Sequence, residues 1–339
     1  MKKSLLVCLF ALCANILPAQ HQFSKFEMYT RADYQRESID DKVNDDNSGF
    51  KGKYLMLRMD GNLGDGFTYS YRQRFNKGVK DATFFDATDW LALTYTTGNW
   101  SFSGGKQVVA IGGYEYDLNP IDVYFASEFW NNIGCFQFGA SVSYKFNNGK
   151  DSFTAQVSQS PFSATTKNIY AYNFMWCGSH GMLNTIYSTN LIEYLPGKYI
   201  GYISLGNRLT AENISLELDV MNRASNNHAF FGKNMSVIGN FTWNATEQLN
   251  VCAKATYDVN NTDCASDMCV LPGTEITRVG AGVEFFPMPN GRKDVRLHAI
   301  ACYSFGNNSN TAGTAIDKQA IISAGVTWNI NLLNLRSKK

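Results

Sequence analysis

The amino-acid sequence predicts an all-β protein: a transmembrane, antiparallel up-and-down β-barrel of about sixteen strands. Three observations carry this expectation. The chain opens on an export-type leader, its hydrophobic pattern repeats with a period of two, and its connections alternate between long and short.

Lys2 and Lys3 begin the leader, Leu5 to Leu17 is nearly all apolar, and Pro18-Ala19-Gln20 supplies a cleavage region. The apolar stretch is shorter than the roughly 20 residues that span a bilayer. Cys13 follows Leu12, where a lipoprotein signal would need a small residue. Residues 1–20 are therefore expected to be a cleaved signal peptide and residues 21–339 a single barrel. No later segment is apolar for 18 consecutive residues, so transmembrane helices are not expected. With Lys2 and Lys3 set aside, the 30 basic residues fall to 28 against 29 acidic ones, which gives nucleic-acid binding no electrostatic support.

The first clear strand puts Leu55, Leu57 and Met59 on one face and Arg58 and Asp60 on the other. In the next, Phe67, Tyr69, Tyr71 and Phe75 alternate with Thr68, Ser70, Arg72 and Arg74. Successive side chains of a strand point to opposite faces, so each run has an apolar and a polar side. There are about sixteen such runs in all, of roughly 9–13 residues, near the length a tilted strand needs to cross a bilayer. Long connections (34–52, 78–85, 110–132, 161–167, 194–198, 224–232, 260–273 and 306–317) alternate with tight ones at 63–66, 97–99, 147–150, 178–181, 210–213, 245–248 and 287–293. A barrel with both ends on one side of a membrane has this rhythm; a soluble sandwich has no reason for it. Aromatics make up 14% of the chain and gather at run ends, as with Trp90, Tyr95, Trp100, Phe102, Tyr144, Phe146 and Trp328. A barrel places such rings at the headgroup levels.

Cys264 and Cys269 share a polar loop, and a disulfide between them is one expectation, two separate thiols the other. Their spacing lacks a second His/Cys pair, so neither a metal nor any cofactor is expected.

Two segments carry a resemblance. Asn99-Trp100-Ser101-Phe102 leads into Gly104-Gly105-Lys106-Gln107-Val108-Val109 and then Gly112-Gly113-Tyr114-Glu115-Tyr116-Asp117. Ile121-Asp122-Val123-Tyr124-Phe125-Ala126-Ser127-Glu128-Phe129-Trp130-Asn131-Asn132-Ile133 follows. Together they resemble the phosphate-selective porin O and P family, most strongly over residues 99–146. The resemblance implies an outer-membrane barrel of a Gram-negative bacterium, a homotrimer, and a third external loop folded into the pore, here residues 110–132.

That loop carries Glu115, Asp117, Asp122 and Glu128, with no Lys or Arg between Lys106 and Lys145. By strand phase, Arg58, Arg72, Arg74, Arg278, Arg296 and Lys254 face inward. An acidic loop opposite a basic wall predicts a transverse field across a water-filled constriction, passing small hydrophilic solutes and ions. Phosphate-specific members would need cations on the loop itself; this loop has none, so an anion- or phosphate-selective channel is the second reading. Lys106 falls on the outward phase of Trp100 and Phe102, and a bulge at Gly104-Gly105 is expected to turn it into the basic wall.

Enzymatic activity finds little support. His21, His180, His228 and His298 lie apart, and no G-x-S-x-G nucleophile motif accompanies them. A plugged structural or adhesive barrel is the remaining alternative, although sixteen strands should leave an aqueous channel.

Overall fold

A computed structural model of the chain describes residues 22–76, 84–164, 166–225, 228–309 and 318–333. The expected signal peptide at 1–20 lies outside them. The wall strands are β1 (Gln22–Ile39), β3 (Gly49–Gly64), β4 (Phe67–Arg74), β5 (Thr88–Thr97), β6 (Trp100–Val108), β7 (Phe136–Lys145), β8 (Asp151–Gln159) and β9 (Tyr170–His180). They continue with β10 (Leu183–Leu195), β11 (Lys198–Ala211), β12 (Ile214–Ser225), β13 (Asn234–Asn244), β14 (Leu249–Asn260), β15 (Glu275–Phe285), β16 (Val295–Asn307) and β17 (Lys318–Asn331). The two-residue β2 (Lys42–Val43) only folds back on the end of β1.

Each wall strand pairs antiparallel with the next, and β1 pairs with β17 from Glu27↔Asn331 to Ile39↔Gln319. The sheet is thereby a closed barrel of sixteen wall strands. Closure follows from the medium: an open edge in hydrocarbon would leave unpaired N–H and C=O groups, each costing several kcal/mol.

The period of two sets which way each residue points. Leu91, Leu93, Trp100, Phe102, Phe153 and Phe174 are exposed on the outside, whereas Asp33, Arg72, Gln156, Asn173, Asn190 and Asp219 are buried within. Trp90 departs from the expected aromatic girdle. It pairs with Arg72 beside a bulge at Asp89, and the Arg72 guanidinium lies 3.7 Å over its ring, on the inner side.

Several long connections are shorter than the sequence suggests, because the strands run on into them. β1 continues to Ile39, and β10 and β11 are joined by residues 196–197 alone, with Gly197 at φ +72°. The apolar core lies inside the barrel, towards the mouth of the long connections. Val109, Ile111, Tyr116, Phe129 and Ile133 of the 109–135 connection pack against Ala171, Ile192, Ile200, Tyr202 and Met221 of β9–β12. Cys269 and Val270, both fully buried, join them from the 261–274 connection. Phe162 and Ile169 of the 160–169 connection pack there too, so among the described residues three connections contribute where the sequence suggested one.

Candidate functional site: the inward loop and the lumen wall

The 109–135 connection leaves β6, crosses the lumen and returns to β7. It contains two short helices, α1 (Tyr114–Asp117) and α2 (Glu128–Asn132). Its first part lies directly on the wall. Ala110 N–H donates to Gln156 (2.8 Å) and Gly112 N–H to Ser188 Oγ (2.7 Å), while the hydroxyl of Ser204 donates to the Gly112 carbonyl (2.8 Å). This contact explains Gly112-Gly113. A Cβ on residue 112 would stand 2.7 Å from the Ile186 carbonyl oxygen, and Gly113 adopts φ +111°.

The first N–H groups of a helix have no partner within it. Gly113 offers α1 no side-chain cap, and Asp219 of β12 supplies one from the wall. Its carboxylate accepts from Tyr114 N–H (2.9 Å) and Glu115 N–H (2.7 Å). Asp258 of β14 does the same for α2, accepting from Glu128 N–H at 2.8 Å. Both anions sit at the positive end of a helix, which is where they are favourable.

The loop carboxylates meet the late-strand cations directly. Glu115 pairs with Lys254 at 2.6 Å and also accepts from Ser127, both from its N–H (3.0 Å) and from its hydroxyl. Asp122 pairs with Arg296 at 2.7 Å, and Arg296 reaches Glu284 at 3.2 Å. Glu128 pairs with Arg278. Asp117 is exposed at the end of α1.

The early-strand cations are engaged elsewhere. Arg58 pairs with Asp60 (2.7 Å), and Arg72 and Arg74 share Asp89 at 2.7 Å each. Arg72 alone of these reaches the loop, donating to Asn119 at 3.0 Å. The wide acid-versus-base gap expected from the sequence is thus closed on the β14–β16 side by ion pairs. On the β3–β5 side two arginines share one carboxylate, and Arg72 meets the loop through Asn119.

Several contributors escaped sequence reasoning. Arg31 donates to the carbonyls of Ile121 (3.2 Å) and Val123 (2.9 Å) and pairs with Asp33 at 2.6 Å. Asp33 also meets His298 at 3.1 Å. Arg223, fully buried, pairs with Asp267 of the second inward connection at 2.7 Å. Strand alternation marks Arg31, Asp33, Asp219 and Arg223 as inward-facing, but nothing local marks their partners.

Two expectations are corrected. Lys106 does not enter the lumen through a bulge: β6 pairs with β5 and β7 without a register shift, setting Lys106 opposite Leu91 and Phe138. Gly105 takes φ +123° yet inserts no extra residue. The Lys106 stem stays on the outer phase, and its ammonium donates to the Phe85 carbonyl at the rim. Near the interface a lysine can bury its stem while its head finds polar partners, and the cost of a charge there falls to about 0–1 kcal/mol, so no bulge is required. Lys106→Met should therefore leave the reversal potential of the channel unchanged in a salt gradient; a clear shift would return Lys106 to the wall.

The second correction concerns Cys264 and Cys269, which form no disulfide. Asp267 accepts from the N–H groups of Cys269 (2.8 Å) and Val270 (3.2 Å), turning Cys269 into the buried cluster. Cys264 is left beside Ser225 Oγ at 3.4 Å.

Residues 25–186, which contain the whole inward loop, match the family described as phosphate-selective porin O and P. No curated protein sequence matches the chain. Among solved structures, the trimer form of OmpT from Vibrio cholerae is similar with a TM-score of 0.61 and 13% identity, over 92% of this chain and 100% of that one. An anion-selective porin from Comamonas acidovorans gives 0.62 and 10%, over 92% and 100%. The outer membrane channel DcaP of Acinetobacter baumannii gives 0.60 and 12%, over 92% and 97%. With a closed sixteen-strand wall, a charged lumen, an inward loop and a match of residues 25–186 to the phosphate-selective porin O and P family, the chain is an outer-membrane porin of a Gram-negative bacterium, a channel for passive diffusion.

Proposed function

We propose that this porin is a general pore for small hydrophilic solutes and ions, with weak preference for cations rather than strong selection of phosphate. The observation that carries the proposal is the charge arrangement around the inward loop. Each loop carboxylate apart from Asp117 faces a wall cation, so Lys254, Arg278 and Arg296 are not left to bind a passing anion. Glu217, Asp219, Asp258 and Glu284 add further carboxylates on the same arc, against Arg208 and against Arg223, whose charge Asp267 already neutralises. The surplus of negative charge outweighs the single surplus cation of the Arg72–Arg74–Asp89 group. Charged groups lining a narrow passage bias which ions enter it.

In this reading Glu115, Asp117, Asp122 and Glu128 form the acidic side of the constriction. Arg58, Arg72, Arg74, Arg278 and Arg296 form its basic wall. The trimer form of the Vibrio cholerae neighbour supports an assembly of three copies, embedded in outer-membrane lipid.

The test is planar-bilayer conductance in a KCl gradient. The wild-type reversal potential should lean weakly to cations, and Arg296→Met, which leaves Asp122 and Glu284 without their partner, should raise the cation preference about twofold. A strong anion potential that phosphate blocks would instead establish the anion-selective channel.

A further inference from the structure

Of the cavities that border the inward loop, two lie on either side of its 122–128 stretch. The one on the side of the short turns has a volume of about 190 Å³, and Asp122, Lys254, Glu284 and Arg296 are among its walls. The one on the side of the long connections, about 440 Å³, is bordered by Arg31, Lys53, Glu128 and Arg278. Tyr124 and Phe125 are the two residues that line both. We propose that these adjacent rings form a fixed bar between the chambers and set the size limit for solutes, independently of the charges that set ion preference. This rests on the reading of the lumen as the solute path.

The bar is held by one arc of the wall, from β14 round to β1. Tyr124 donates its hydroxyl to Glu284 at 2.7 Å, the Arg31 guanidinium stands 4.5 Å from its ring centre, and the His298 ring lies 4.8 Å away. The Phe125 carbonyl accepts from the Lys254 ammonium at 2.9 Å. Its ring rests against Gly280 of β15, where a Cβ would stand 2.5 Å from the ring edge. A glycine in a strand often marks a place where another group must approach closely, and here the ring does so together with the Ala301 carbonyl oxygen, 2.7 Å from the same Cβ. The Arg31 and Lys254 cations beside these rings are already engaged with the wall and the loop. The bar therefore acts by its volume rather than by stacking solutes.

The experiment compares single-channel conductance, reversal potential and liposome swelling with neutral sugars of increasing size, in properly folded protein. Phe125→Ala should raise conductance roughly twofold and admit larger sugars, with the reversal potential unchanged. Gly280→Ala, by pushing the ring off the wall towards the lumen, should slow the swelling with the larger sugars. Tyr124→Phe, which keeps the volume and loses the hydroxyl, should leave the size limit where it is. A conducting wild type whose size limit does not move in Phe125→Ala overturns the bar, as does a Phe125→Ala variant that changes the reversal potential alone. A wild type that does not conduct overturns the pore reading itself, and the bar with it.

Discussion

Asp219→Ala is expected to turn a quiet channel into a noisy one with a larger mean conductance. Asp219 holds two N–H groups of α1 at 2.9 and 2.7 Å, and Gly113 provides no local substitute. A hydrogen bond to a charged group contributes about 1.5–3 kcal/mol, so losing this pair removes on the order of 3 kcal/mol from the seating of the loop. That shifts the balance between the seated and displaced loop roughly a hundredfold. Glu115–Lys254 and the Gly112 contacts remain, so displacement should be intermittent, which a recording reads as flicker. Asp219→Asn retains an acceptor oxygen and should fall between the two. A trace indistinguishable from wild type would show that the loop is held by its ion pairs and apolar cluster alone.

Arg223→Met is expected to have the largest effect on stability. Arg223 and Asp267 are both fully shielded from solvent and meet at 2.7 Å. The remaining bonds of the cluster run from Arg223 to Asn234 (3.1 Å) and Ser236 (2.9 Å), and from Asn234 to Asp267 (2.8 Å). Removing one member of a buried pair strands the other charge and costs about 3–5 kcal/mol, whereas replacing both with apolar groups of similar volume is often neutral or better. The single variant should lose its folded state, read by gel mobility after heating, at a distinctly lower temperature. Arg223→Met combined with Asp267→Leu should recover most of the loss. A single variant as heat-stable as the wild type would mean that the pair is dispensable and that packing alone anchors the 261–274 connection. The Arg223 guanidinium also lies 5.6 Å from the Phe129 ring of α2, so the same cluster joins the second inward connection to the first.

These two residues show how far the sequence could be read. In the stretch from Ile214 to Arg223, alternation assigns Ile214, Leu216 and Leu218 to lipid and Glu217, Asp219 and Arg223 to the lumen, and the structure agrees. Alternation cannot say that Asp219 caps a helix more than a hundred residues earlier in the chain, or that Arg223 waits for Asp267. Such partners are set by strand count and register around the closed wall. Lys106 shows the opposite failure. The phase correctly placed it outward, but the rule against charge on the lipid face prompted a bulge that the rim makes unnecessary.

The sequence by itself determined the medium and the architecture, and its family resemblance implied the inward loop. A period of two, runs of membrane-crossing length, alternating connections and one overlong acidic segment are local properties that survive without knowing any distant contact. The tertiary structure alone decided what the charges do. Arg278 and Arg296 close on Glu128 and Asp122, Arg72 and Arg74 share Asp89, and a second connection carrying Cys269 and Val270 folds inside. The reason is physical: in a closed barrel every inward side chain is drawn into one narrow lumen. There, buried charges are stable only when paired, and their nearest partners come from strands and loops far away in sequence.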